Sequence, residues 1–203
     1  MLSESEFLKI TEEIYRFHTK RAPGIPIGVA MVDLARQHLG PIQGKLNAIS
    51  ETQACLSDVL QVMTGCTMGN RYLRVMKDIG RYALTLFDRE DGRGVRVSVD
   101  LGKIDPQKTP ELYKFFRRER GEEVEKGGEA REASGRLILE EFQRIGRDIF
   151  RVQRVRVRQH GKPPMLHAAI CPECGESFLQ RNEMHRRCDV CAGEAGYYDL
   201  VED

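Results

Sequence analysis

Apolar residues change period several times along the chain, and each change marks an element. In "SESEFLKITEEIYRFH", Phe7, Ile10, Ile14 and Phe17 recur at helical spacing behind Ser3 and Glu6, which stand in capping-box relation. A helix is predicted from Ser3 to His18, with His18 four residues beyond Ile14 on the buried face. A Pro/Gly loop follows, then a helix that begins near Pro26, stops at Gly40 and carries Ile27, Ala30, Met31 and Leu34 on one side. "KLNAIS" reads as a short strand. Leu56, Val59, Leu60 and Met63 form the stripe of a third helix, which Cys55 joins four residues before Val59.

Beyond a Gly-rich bend the period falls to two. "RYALTLFD" and "GVRVSVDL" are predicted strands joined through Asp91-Gly92, and Val95, Val97 and Val99 alternate with Arg96 and Ser98, so one face is buried. "TPELYKFFRRER" is a helix with Pro110 in its first turn, and "GEEVEKGGEAREA" is a solvated helix or connection. "SGRLILEEFQRIG" returns to an amphipathic helix, and "DIFRVQRVRVRQ" is a long strand. Helices and strands mix without regular βαβ alternation, which predicts an α+β fold with a mixed or antiparallel sheet. "HGKPPM" reads as a linker, dividing the chain into residues 1–160 and 166–203.

The totals fit one sizeable domain and an appendage: 203 residues, 40% hydrophobic, 31% charged, net charge +1. That balance predicts no polyanion partner from charge alone. No run approaches the ~18 apolar residues of a membrane helix, and "MLSESEFLKI" is acidic where a signal peptide is basic, so a cytoplasmic protein with no membrane association is expected. In a reducing compartment paired C-x-x-C units point to metal or redox chemistry before disulfides.

Four of the six cysteines, Cys171, Cys174, Cys188 and Cys191, form two C-x-x-C pairs in "CPECGESFLQRNEMHRRCDVC". Four thiolates suit a closed tetrahedral zinc site, with iron of the rubredoxin type as the chemical rival. Gly175 suits the positive φ of a metal knuckle, and "AGEAGYYDL" reads as a short helix, which favours a treble clef over an all-strand ribbon. So short a unit would draw on the order of 10 kcal/mol of its folding free energy from the metal. With four sulfurs at hand, His185 is expected on the surface rather than as a ligand.

His18, Cys55 and Cys66 are a second set. Each alone reads as a core or turn residue; together they suggest a pocket. A straight helix holds Cys55 and Cys66 roughly 15 Å apart, so they share one ion only if that helix starts late, near Asp58, or the TGCT bend folds back.

Three segments, "FH" through "APG" to Gly28, "CLSDVLQVMTGCTMGNRYL" at Cys55 to Leu73, and "DIGRYAL" at Asp78 to Leu84, resemble the FmdE family of formylmethanofuran dehydrogenase components. The resemblance implies an α+β N-terminal domain, a C-terminal treble-clef finger, a homodimer, and a metal or redox site built from the N-terminal motif and the two central cysteines. The family's N-terminal motif looks like F-H-G-H-x-C-P-G. This chain keeps His18 but has Lys20 and Ala22 at the second histidine and the cysteine. The implied cofactor pocket is therefore His18, Cys55 and Cys66, with an open ligand position for a second metal.

The resemblance implies an accessory, redox or metal-handling role in one-carbon or molybdenum/tungsten-enzyme metabolism, with the subunits of such enzymes as partners. The alternative is a zinc-finger nucleic-acid or protein adaptor, since Arg154, Arg156 and Arg158 share a strand face that could track phosphates. Only 7% aromatic residues and no tryptophan leave little for base stacking. No G-x-S-x-G, P-loop or G-x-G-x-x-G is present, and a Cys66–His18 thiolate pair is the one nucleophile arrangement to weigh for a hydrolase.

Overall fold

Local chemistry sets where each helix begins and ends. In the computed structural model, which describes residues 1–162 and 165–198, α1 runs Glu4–His18 behind the expected capping box: Glu6 N donates to Ser3 Oγ at 3.3 Å, and Ser3 N donates to Glu6 Oε2 at 2.8 Å. It stops at Thr19, which is left-handed. Ile14 and Thr11 are buried, but Phe17, expected in the stripe, is 55% exposed. At 3.6 residues per turn Phe17 lies about 60° round from Ile14, outside the arc centred on Thr11, Ile14 and His18.

Helix α2, Gly24–Leu39, is the central element; every residue from Gly24 to Asp33 is buried. It starts two residues earlier than expected, with Pro26 inside its first turn, where a missing N–H costs nothing. Helix α3, Leu56–Thr64, begins directly after Cys55 and ends on left-handed Gly65. Leu56 and Leu60 are fully buried, each contributing about 1.5–3 kcal/mol by leaving water.

The sheet has five strands in the order β2-β1-β3-β4-β5: β1 Leu46–Ser50, β2 Leu73–Val75, β3 Ala83–Asp88, β4 Arg93–Val99 and β5 Phe150–Arg156. It is mixed, because β1 and β2 are parallel and the other pairs antiparallel. The expected alternation buries Val95 and Val97 with Ala48, Leu84 and Leu86 on the face that α2 and α3 cover. Asp88 anchors the β3–β4 hairpin to the approach of β1 by accepting from Gln43 N, Gly44 N and Glu90 N. Beside the sheet, α4 (Pro110–Arg117) packs on α6 (Gly128–Ile145), and the charged segment between them folds as α5 (Glu122–Lys126). Along β5 the even-numbered positions emerge from the core, from buried Phe150 through Val152 to exposed Arg154 and Arg156.

The chain divides into two compact units, Met1–Gly161 and Lys162–Asp203. The second contains a hairpin, β6 (His167–Ile170) against β7 (Ser177–Gln180). The short helix expected in "AGEAGYYDL" is, from Ala192 to Ala195, a run of turns bonded back to Cys188, Asp189 and Val190; its last residues, 199 and 200, lie outside the described residues. Two glycines in that stretch explain why turns win over a helix.

Candidate functional site

The four C-terminal cysteines converge through local turns. Gly175 N donates to Cys171 O at 2.9 Å, and Ala192 N donates to Cys188 O at 2.9 Å, so the two knuckles share one closing hydrogen bond. Gly175, at φ 75°, supplies the left-handed residue after the first pair. The four sulfurs lie within 4.8 Å of one another, with Cys174 Sγ to Cys188 Sγ at 3.9 Å. A tetrahedral zinc thiolate with bonds near 2.3 Å has edges of about 3.8 Å, so the donor set fits such an ion. Backbone N–H groups, first that of Cys174 and then that of Cys188, hold the Cys171 thiol down to about 6. The adjoining Cys188 thiol, then burial, pushes Cys191 upward. Four thiols this close ionise together only around a cation.

His185 is not a fifth donor, nor is it the surface residue expected. Its Nδ1 accepts from Arg181 N at 3.3 Å, its Nε2 lies 2.8 Å from Asp189 Oδ1, and its ring meets the edge of Phe178 at 5.1 Å. It ties the loop between the knuckles to the second pair.

In the first unit the three remaining candidates separate. Cys66 turns inward and is buried, its Sγ donating to Leu46 O at 3.3 Å. The TGCTMGN bend that places it is clasped by Asn70, whose Oδ1 accepts from Thr67 N and Tyr72 N while its Nδ2 donates to Gly65 O. Cys55 sits at the start of α3 in a half-buried niche. A side chain added at Gly24 would come within 2.8 Å of the Tyr82 hydroxyl and 3.2 Å of Cys55 Sγ, so glycine is what lets α2 close on this niche. Tyr82 donates to Gly24 O at 2.5 Å and is raised well above its ordinary value by burial, then by Cys55. Burial likewise pushes both Cys55 and Cys66 up, so each is a thiol near neutrality unless a cation displaces the proton.

His18 reaches α3 by another route: its Nδ1 lies 2.6 Å from Asp58 Oδ2. Neither way of bringing Cys55 and Cys66 together is taken, since α3 starts at Leu56 and the bend folds under β1. Among the described residues the four C-terminal cysteines are the one group of three or more His, Cys, Asp or Glu donors drawn together. Lys20 is exposed and lines a cleft of about 260 Å³ with Glu12, Tyr15 and Arg16, while Ala22 packs against the core. Asp58 is a functional partner that the sequence did not single out. The signal for it was its place one turn after Cys55, matching His18 one turn after Tyr15.

Comparisons with known proteins agree with this architecture. Residues 17–155 match the family model described as FmdE, molybdenum formylmethanofuran dehydrogenase operon. The crystal structure of an FmdE-like protein of tungsten formylmethanofuran dehydrogenase, from Syntrophus aciditrophicus, is 33% identical and superposes with a TM-score of 0.72 over 95% of each chain. A protein of Archaeoglobus fulgidus described as "Probable S-adenosyl-L-methionine-binding protein" is 32% identical over 98% of this chain. The chain spans only 56% of that relative's length. No described helix is long and apolar enough to cross a membrane.

Proposed function

The chain belongs to the FmdE family, and from that membership we propose that it is a cytoplasmic metal-handling or redox accessory of one-carbon or molybdenum/tungsten-enzyme metabolism, with zinc as the structural ion of its finger. One observation carries this reading: a chain with a complete four-thiol centre also places an imidazole, His18, and a thiol, Cys55, at the junction of α1 and α3 in its other unit. A simple finger adaptor has no use for the second set. His18 and Cys55 are the donors that would hold a soft divalent cation there, and such an ion would supply Lewis-acid or redox chemistry. Cys66 would join only by leaving Leu46 O. A homodimer that docks on a molybdenum or tungsten enzyme is the assembly in which this role fits.

The test is a cobalt(II) titration of the zinc-replete full chain, followed through the sulfur-to-cobalt absorption band. A second equivalent whose band disappears in Cys55→Ser supports the reading; no uptake beyond the finger contradicts it. A second reading comes from the Archaeoglobus relative, whose described ligand is S-adenosyl-L-methionine. Saturable one-site heat on titrating that compound into the full chain would favour it, and absence of heat would remove it.

A further inference from the structure

Two helices meet at the N-terminal niche by matched turns. Tyr15 and His18 lie three apart in the last turn of α1; Cys55 and Asp58 lie three apart at the start of α3. Residues three apart share a helix face, so each helix offers a two-residue edge to the other. At one end of the contact is the 2.6 Å approach of His18 Nδ1 to Asp58 Oδ2, with side chains 21% and 30% exposed.

We propose that Asp58 is the positioning residue that decides which nitrogen of His18 is left for a ligand. This rests on the reading of His18 and Cys55 as a ligand pocket. An ionised carboxylate only accepts hydrogen bonds, so the short contact requires a proton on His18 Nδ1. That holds whether the imidazole is neutral or charged. In the neutral ring the lone pair is then on Nε2 alone, which becomes the atom able to bind a soft divalent cation or to accept a proton. A carboxylate behind the far nitrogen is the outer contact that metal-binding histidines use to hold tautomer and orientation.

Two features make Asp58 a firm holder. It lies in the first turn of α3, where the positive end of the helix dipole favours a negative charge, and its other oxygen, Oδ1, has Gln61 Nε2 at 3.4 Å. His18 is the last residue of α1 before left-handed Thr19 turns the chain away, so its backbone is fixed by the helix while its ring is steered by Asp58. Asp58 does the orienting here in a chain that has Lys20 and Ala22 where the family motif carries further donors.

Long-range proton–nitrogen NMR of the histidine-labelled, zinc-replete full chain under mildly alkaline conditions tests the assignment without any variant. The expected His18 signal shows a protonated Nδ1 and a bare Nε2; a protonated Nε2 with a bare Nδ1 overturns the proposal. Asp58→Ala should release the ring to a mixed or reversed tautomer, and Asp58→Asn, whose amide oxygen still accepts, should keep it. An unchanged tautomer in Asp58→Ala also overturns it. In the cobalt(II) titration, Asp58→Ala should weaken the second site by at least about tenfold, with Asp58→Asn in between. Equal affinity in wild type and Asp58→Ala contradicts a positioning role. If no variant takes up a second cobalt while the tautomers behave as expected, the metal reading fails and the positioning by Asp58 stands.

Discussion

The finger and the N-terminal pocket both contain soft donors, but they are assembled by opposite means. In the finger, each pair of sulfurs comes from one tight turn, and four thiols meet within 4.8 Å. The surrounding fold is slight: a two-stranded hairpin that leaves Ile170 74% exposed. In the first unit, His18 and Cys55 come from different helices, are positioned by the buried α2 and its Gly24, and owe nothing to an ion for their place. One region is held by its ligand chemistry; the other holds its ligand chemistry.

That contrast is broken most directly by removing the metal. Chelation should abolish amide protection across the finger, where the ion contributes on the order of 10 kcal/mol, and leave protection in α2 and β4 unchanged. Hydrogen exchange read by mass spectrometry distinguishes the two regions in one sample. Loss of protection throughout the chain would show that the units do not stand apart.

The first unit has its own buried polar anchor. Glu51, 7% exposed, accepts from Arg96 Nε at 2.6 Å and Nη2 at 3.0 Å, and pairs with Arg81 at 2.8 Å. Glu51→Ala should cost about 3 kcal/mol in urea denaturation, because it strands Arg96 beside the sheet. Burial alone would raise the Glu51 carboxyl, but Arg96, then Arg81, overcome this and hold it below 4.5. A carboxyl lowered on folding stabilises above its unfolded value, and that stability is lost as pH falls through the folded value. Glu51→Gln should therefore flatten the acid limb of the first unit's stability curve and leave zinc retention untouched. An acid limb identical to wild type would contradict this role for Glu51.

Cys66→Ala should cost only about 1 kcal/mol of thermal stability and leave finger metal and Cys55-dependent cobalt binding as they were. A lost cobalt equivalent would instead bring Cys66 into the pocket. Smallest of all is the expected effect of Arg154→Ala with Arg156→Ala. These residues form no ion pair among the described residues, yet their neighbour β4 also presents Arg93, directly opposite Arg156. On the accessory reading the double variant changes nothing, whereas a steep salt dependence of nucleic-acid binding lost with it would favour an adaptor.

Most of the fold was legible because its signals are local. Ser3 with Glu6 announced α1, Val95 and Val97 announced a half-buried strand, and the two C-x-x-C pairs announced the finger. The three-residue edge strand β2 was not foreseen, since so short a run carries no period of its own and exists by pairing with β1. Phe17 satisfies the i, i+3 rule yet faces water, because a helix buries an arc and the rule admits its edges. The pocket was least legible. Asp58 lies 40 residues from His18, and only the packing of α1 on α3 makes them partners. Cys66 shared a motif with Cys55, but its fate was decided by Asn70 closing the bend.

Metal content of the anaerobically purified full chain, compared with Cys174→Ser and Cys66→Ser, bears most directly on the division between the two regions. One tightly held ion that is lost in Cys174→Ser and kept in Cys66→Ser is the expected result. An ion retained in full by Cys174→Ser would mean that the four C-terminal thiols are not the metal centre.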